Sequence, residues 1–103
     1  MTKEEALEVI ERVDQSTKIT YDPNDVDNIE AKIAEFVKER GLSDKEDFDR
    51  MCRDVIEARD VIEDPRRANK IVLKLITLRR LMVVFGLYTI DANSPELRLE
   101  HED

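Results

Sequence analysis

Apolar residues recur at intervals of three and four along four stretches of this chain, the spacing expected of amphipathic α-helices. Polar start signals and glycine or proline stop signals separate these stretches. The pattern predicts an all-α fold: a compact bundle of about four helices over residues 2–14, 23–40, 44–63 and 65–85, followed by a short C-terminal tail. No linker or repeat divides the chain, so we expect a single helical domain over residues 1–103.

Local signals define where the helices begin. Thr2 and Ser43 each precede a glutamate by three residues, which is the spacing of a capping box. Pro23 follows an aspartate and suits the first turn of the second helix, where its missing N–H has no cost. Together these signals predict three well-defined helix starts.

The helix ends are also marked in the sequence. Gly41 and Gly86 suit the left-handed residue that ends many helices. Asp64-Pro65 predicts a corner between the third and fourth helices, because the residue before a proline disfavours helical geometry. We also expect one more helical turn in the tail over residues 94–99, from Ser94-Pro95-Glu96 through Leu97 and Leu99.

The predicted helix over residues 65–85 is apolar over more than half of its circumference, wider than the stripe of an ordinary surface helix. Cations interrupt each apolar run, so the segment does not suit a membrane span. Other protein surface must cover such a helix, and the first helix offers few apolar positions. We therefore expect helix 65–85 to form the centre of the bundle or the interface of a homodimer or of a complex with another protein. The residues expected at this interface are Leu75, Leu78, Arg79, Met82, Val83 and Phe85.

The charge distribution sets the same segment apart. The chain has a net charge of −8, yet residues 65–90 contain six cations and no acid. We expect this basic segment to lie against acidic neighbours, in its own chain or on a second subunit.

Arg59 and Arg79 occupy positions where the helical pattern calls for core residues. One interpretation is an ion pair, buried or across subunits, that fixes the geometry. A second is that the aliphatic stems pack while the guanidinium groups reach water. A third is an anion-binding pocket for a small metabolite.

The sequence offers little for catalysis or metal binding. His101 is the only histidine and Cys52 the only cysteine, so a Cys/His metal site is not expected. Cys52 falls on the apolar stripe of the third helix and is expected to be a buried core thiol. Neither Gly41 nor Gly86 belongs to a phosphate-binding loop. We predict no enzyme activity, no cofactor and no metal.

Two charged surfaces define the alternatives to a protein-interaction module. An acidic body could imitate nucleic acid and block a nucleic-acid-binding protein, as some phage-encoded inhibitors do. The acidic residues considered for such a surface are Asp47, Asp49 and Asp54. Nucleic-acid binding is less favoured because the rest of the chain is acidic, although a basic strip could contact phosphates. That strip consists of Arg66, Arg67, Lys70, Lys74 and Arg80.

The sequence thus predicts a non-enzymatic protein–protein interaction module that binds itself or another protein through helix 65–85. Charged residues at the N-terminus leave no place for an apolar leader, and one cysteine excludes an internal disulfide. A reducing cytoplasm is the compartment that we expect.

Overall fold

The computed structural model describes residues 1–18 and 28–99, and these contain four helices and no strand. The helices are α1 (Lys3–Ser16), α2 (Ile29–Glu39), α3 (Lys45–Val61) and α4 (Arg66–Val84). The all-α bundle expected from the sequence is confirmed, and α3 and α4 are separate helices on either side of the Asp64-Pro65 corner.

Of the three predicted helix starts, one is confirmed, one needs correction and one falls on residues that the structure does not describe. The capping box of Thr2 and Glu5 is present as expected. The cap of α3 is Asp44 instead of Ser43, because the Asp44 carboxylate accepts from the Asp47 N–H at 3.0 Å. The second helix does not run unbroken over 23–40, since Asn28 is left-handed at φ 62° and α2 begins after it. The predicted start at Pro23 lies outside the described residues.

The glycine stop signals are confirmed. Gly41 and Gly86 have φ of +68° and +73°, which L side chains rarely adopt. The amide of the residue after each glycine then bonds back to a carbonyl in the last helical turn, at 2.8 Å after Gly41 and 2.7 Å after Gly86. Both helices therefore end in Schellman motifs.

The core forms where α1 and α3 pack against each other and α4 packs against both. Within the described chain, α2 contacts no helix except α4. α4 is thus covered by α1 and α3 on one side and by α2 on another. Its side chains in the core are Ala68, Ile71, Val72, Leu75, Leu78 and Met82.

Residues 87–99, which we call the tail, do not form the helical turn expected from Ser94. Residues 95–99 have no regular secondary structure. The carbonyls of Asn93, Pro95 and Arg98 accept hydrogen bonds from arginine side chains, and a helix would need the carbonyls of this segment for its own amides. Leu97 is buried by this arrangement, whereas Leu99 is half exposed.

Loss of the α1 cap tests the contribution of local signals to stability. We expect Thr2→Ala to lower the free energy of unfolding by about 1 kcal/mol, because the Glu5 amide loses its acceptor. Thr77→Ala is the matched control, since Thr77 is exposed in the middle of α4, where alanine is the better helix former. Urea unfolding measures both; equal destabilisation by the two variants would contradict a specific role for the cap.

Candidate functional site

The most elaborate polar arrangement in the described residues lies where the tail crosses α3 and α4. We call this surface the tail groove, defined by its polar side chains. They are Lys45, Asp49, Arg53 and Arg59 of α3, and Arg79 of α4. Its position follows from the sequence of the helices, because the Schellman turn at Gly86 reverses the chain and sends the tail back over them.

The N-terminal end of the tail groove is held by a buried carboxylate. Asp49 is 4 % exposed and accepts from the Tyr88 hydroxyl at 2.5 Å and from the Lys45 ammonium at 2.8 Å. The Tyr88 ring packs edge-on against Phe48, and the Lys45 ammonium lies over its face at 4.7 Å from the centroid. The hydrogen bond to Asp49 raises the pKa of Lys45, because it stabilises the charged ammonium.

A second set of hydrogen bonds shapes the tail where it turns. The Ser94 hydroxyl accepts from Lys45 at 3.2 Å and from the Asp91 amide at 2.9 Å, and it lies 3.1 Å from the Tyr88 oxygen. The Asp91 carboxylate accepts from the Asn93 amide, and this bond is the main reason that its pKa is lowered. The turn therefore connects buried Asp49 and its two donors directly to the start of the extended segment.

Three arginines hold the extended segment by its main chain. Arg53 donates to the Asn93 carbonyl at 2.6 Å and Arg79 to the Pro95 carbonyl at 2.7 Å. Buried Arg59 donates to the Arg98 carbonyl at 2.5 Å. These are charge-assisted hydrogen bonds to carbonyls that would otherwise lack partners in the fold.

The two core arginines of the sequence analysis thus meet the tail. The described contacts of Arg59 include the Asn69 side-chain oxygen at 3.1 Å besides the Arg98 carbonyl. Arg79 makes no ion pair within residues 1–18 and 28–99, and its partner is a carbonyl. Ion pairing of these residues across subunits stays a prediction. The anchoring roles of Asp49 and Tyr88 were not expected from the sequence. Tyr88 is a lone aromatic in a polar segment, and that contrast could have signalled an anchor.

Cys52 is fully buried beside this cluster, as expected from its position on the apolar stripe. Burial raises the pKa of the Cys52 thiol to about 12, and the nearby Arg79 guanidinium offsets only part of that effect. A neutral thiol packed among apolar side chains has the character of a core residue and not of a nucleophile.

The six residues expected at an interface differ in how far they are buried. Leu75, Leu78 and Met82 lie in the core of the single chain, and Arg79 and Phe85 are half-buried. Val83 alone among the six is exposed. The wide apolar arc of α4 is therefore covered mainly by its own chain, with Leu73 exposed near its middle and Val83 and Val84 exposed at its C-terminal end.

The basic strip of α4 is largely paired with acids of the same chain. Arg67 binds Glu11, and Lys74 donates to Asp14 at 3.0 Å. The expectation that this segment faces acidic neighbours is met by α1. Arg66 pairs with Asp64 at 2.9 Å, and hydrogen bonds from Arg66 lower the pKa of Asp64 to about 2. Two members remain exposed without an ion pair in the described chain, namely Lys70 and Arg80.

The three candidate acids for nucleic-acid imitation do not form one open surface. Asp49 points into the tail groove and is buried. Asp54 lies 3.6 Å from Arg12, and the Asp47 carboxylate accepts from Arg50 at 3.3 Å. Only Asp47 is exposed among the three.

Within residues 1–18 and 28–99, no group of three or more histidine, cysteine, aspartate or glutamate side chains is arranged to hold a metal ion. None of the helices described is long and apolar enough to cross a membrane. Comparison with family models, with curated proteins and with solved structures gave no match to this chain.

Tyr88→Phe tests whether the tail depends on the buried carboxylate. We expect it to lower the free energy of unfolding by about 1–3 kcal/mol, since Asp49 loses a donor inside the fold. The hydrogen-bonded amides of Asp91, Asn93 and Ser94 should exchange hydrogen faster, while amides of the α1–α3 core keep their relative protection. Hydrogen exchange read by mass spectrometry measures this, and unchanged exchange throughout the tail would contradict the role assigned to Asp49.

Cys52 makes stability depend on alkaline pH. The folded pKa of about 12 lies above the ordinary 9.0, so the thiol stabilises the fold below pH 9 and this contribution is lost as pH rises. Between pH 8 and pH 10 we expect the wild type to lose on the order of 1 kcal/mol more unfolding free energy than Cys52→Ala. Urea titrations at both pH values measure the difference, and parallel losses in the two proteins would mean that the thiol is not shielded.

Proposed function

We propose that this chain is a non-enzymatic protein–protein interaction module that binds a second copy of itself through the C-terminal end of α4. The observation that carries the proposal is a cluster of exposed apolar side chains where α4 gives way to the tail. Val84 is 73 % exposed and Ile90 56 %, and Val83 just before Val84 and Leu87 between the two are also exposed. We call these four residues the hinge patch.

Clustering distinguishes the hinge patch from ordinary surface apolar residues. Single exposed apolar side chains are common on soluble proteins and need no partner. Four within eight residues around one helix end are a candidate contact surface, because their removal from water would favour association. Arg80 lies one turn before Val84 and could provide a polar rim.

The hinge patch replaces the centre of α4 as the proposed contact. Leu75, Leu78 and Met82 already fill the core of one subunit, so polar substitution there would unfold the chain instead of separating two copies. Val83, which is exposed, and Phe85, which is half-buried, are the members of the expected interface that lie at this end of α4.

The alternatives receive less support from the same geometry. An inhibitor imitating nucleic acid needs an open array of carboxylates, whereas the Asp49 carboxylate is buried in the tail groove and accepts from Tyr88. Binding to nucleic acid needs free cations, and Arg66, Arg67 and Lys74 already face acids. A cytoplasmic location is consistent with the reduced, buried Cys52 and belongs to the proposal.

Val84→Asp tests the proposed contact. We expect it to weaken self-association at least about tenfold while the helical circular dichroism is unchanged, because a charge replaces a highly exposed apolar side chain. Sedimentation equilibrium or native mass spectrometry at micromolar concentration gives the dissociation constant.

Leu73→Asp is the matched control. Leu73 is also exposed on α4 but lies away from the hinge patch, beside a cleft of about 240 Å³ that Phe36 and Leu81 help to line. We expect this variant to dimerise like the wild type. A wild-type chain that stays monomeric at every concentration would refute the proposal, and equal weakening by both variants would contradict the placement at the hinge patch.

A further inference from the structure

The tail is recognised largely through its main chain. The three arginine contacts at Asn93, Pro95 and Arg98 end on carbonyl oxygens, which every residue possesses. Side-chain recognition comes from Tyr88, which binds Asp49, from Ser94, which accepts from Lys45, and from Leu97, which is 9 % exposed. A tail groove of this kind binds an extended segment with an aromatic hydroxyl near one end and a leucine near the other.

The segment that fits the tail groove best is the tail itself, and any copy of the chain can supply it. All the contacts described above would be the same if the tail came from a second subunit. Exchange of an identical element between two copies is a low-cost route to a dimer, because few new contacts are needed. Whether the tail binds its own chain or a second copy then depends on the connection between α4 and Tyr88.

That connection is short and conformationally special. Only Gly86 and Leu87 lie between the end of the helix at Phe85 and the anchored Tyr88. Gly86 makes the reversal at φ +73°, and a Cβ placed there would meet nothing within 4 Å. Glycine is therefore favoured here by the backbone conformation and not by a lack of space. A chain that continued in the direction of α4 would carry the tail away from its own groove.

The hinge patch surrounds this same connection. When two chains exchange tails, their connecting segments pass beside each other, and the new contact forms there. Val83 and Val84 precede Gly86, and Leu87 and Ile90 follow it. Exposed apolar residues are thus concentrated where an exchanged dimer would bury them.

We infer that two copies of this chain exchange their tails, so that Tyr88 and Leu97 of each subunit occupy the tail groove of the other. This inference rests on the proposed self-association and gives it a mechanism. The hinge patches of the two subunits form the new contact, and the arginine contacts of the single chain are retained in the dimer.

Cross-linking tests the exchange directly. Arg50 and Asn93 border the same depression of the tail groove, and neither side chain supplies one of the tail contacts described above. Arg50→Cys and Asn93→Cys are made separately in a Cys52→Ala background, one of the two proteins carrying heavy isotopes. The two are unfolded together, refolded and treated with a short bis-maleimide.

Exchange predicts a cross-link between position 50 of one chain and position 93 of the other in this mixture. The double variant in one chain should also give cross-linked dimers at concentrations where native mass spectrometry detects the dimer. If the protein is dimeric but the double variant joins only positions of the same chain, exchange is wrong and the proposed self-association remains. If no dimer forms, both fail.

Gly86→Ala supplies an independent test with a matched control. Alanine is strained at the left-handed φ of the closed tail, so opening relieves the strain in both subunits and should tighten dimerisation about tenfold or more. Gly41→Ala has the same strain and the same free space but lies far along the chain from the tail connection, so its dimerisation should not change. Equal dimer dissociation constants for Gly86→Ala and Gly41→Ala would overturn the exchange.

Discussion

The structure depends on covering α4. This helix carries apolar side chains around most of its circumference, and a stable fold in water must bury most of them. α1 and α3 cover one side and α2 another, so that Leu75, Met82 and their neighbours are inside the fold. The ends remain. At the C-terminal end, Val83 and Val84 stay exposed, as do Leu87 and Ile90 of the tail.

The tail also supplies hydrogen-bond acceptors to the arginines between α3 and α4. Arg59 and Arg79 project from helical positions that face protein, where a guanidinium group needs acceptors. An extended segment supplies them, because its carbonyls are not used by helical amides. The same contacts order the tail, so the arginines and the tail satisfy each other. Deletion of either partner would leave polar groups of the other in need of water.

The buried Asp49 connects these two features. It anchors Tyr88 only two residues after Gly86, and this fixes where the tail begins its path over the helices. Lys45 compensates the charge of Asp49 and also reaches Ser94, so the turn of the tail and the first turn of α3 share one network. Such a network favours one arrangement of the tail, since a carboxylate in this position is costly without both donors.

The four helices could be predicted from local patterns, because capping, glycine stops and apolar periodicity act between residues close in the chain. Thr2, Gly41 and Gly86 behave as their local chemistry requires. The burial of Cys52 likewise followed from its place in the stripe of α3. What covers α4 and what the core arginines bind became visible only in the packed fold. Periodicity shows that a helix face is apolar but not which surface lies against it, and main-chain carbonyls, the partners of Arg59 and Arg79, leave no mark in a sequence.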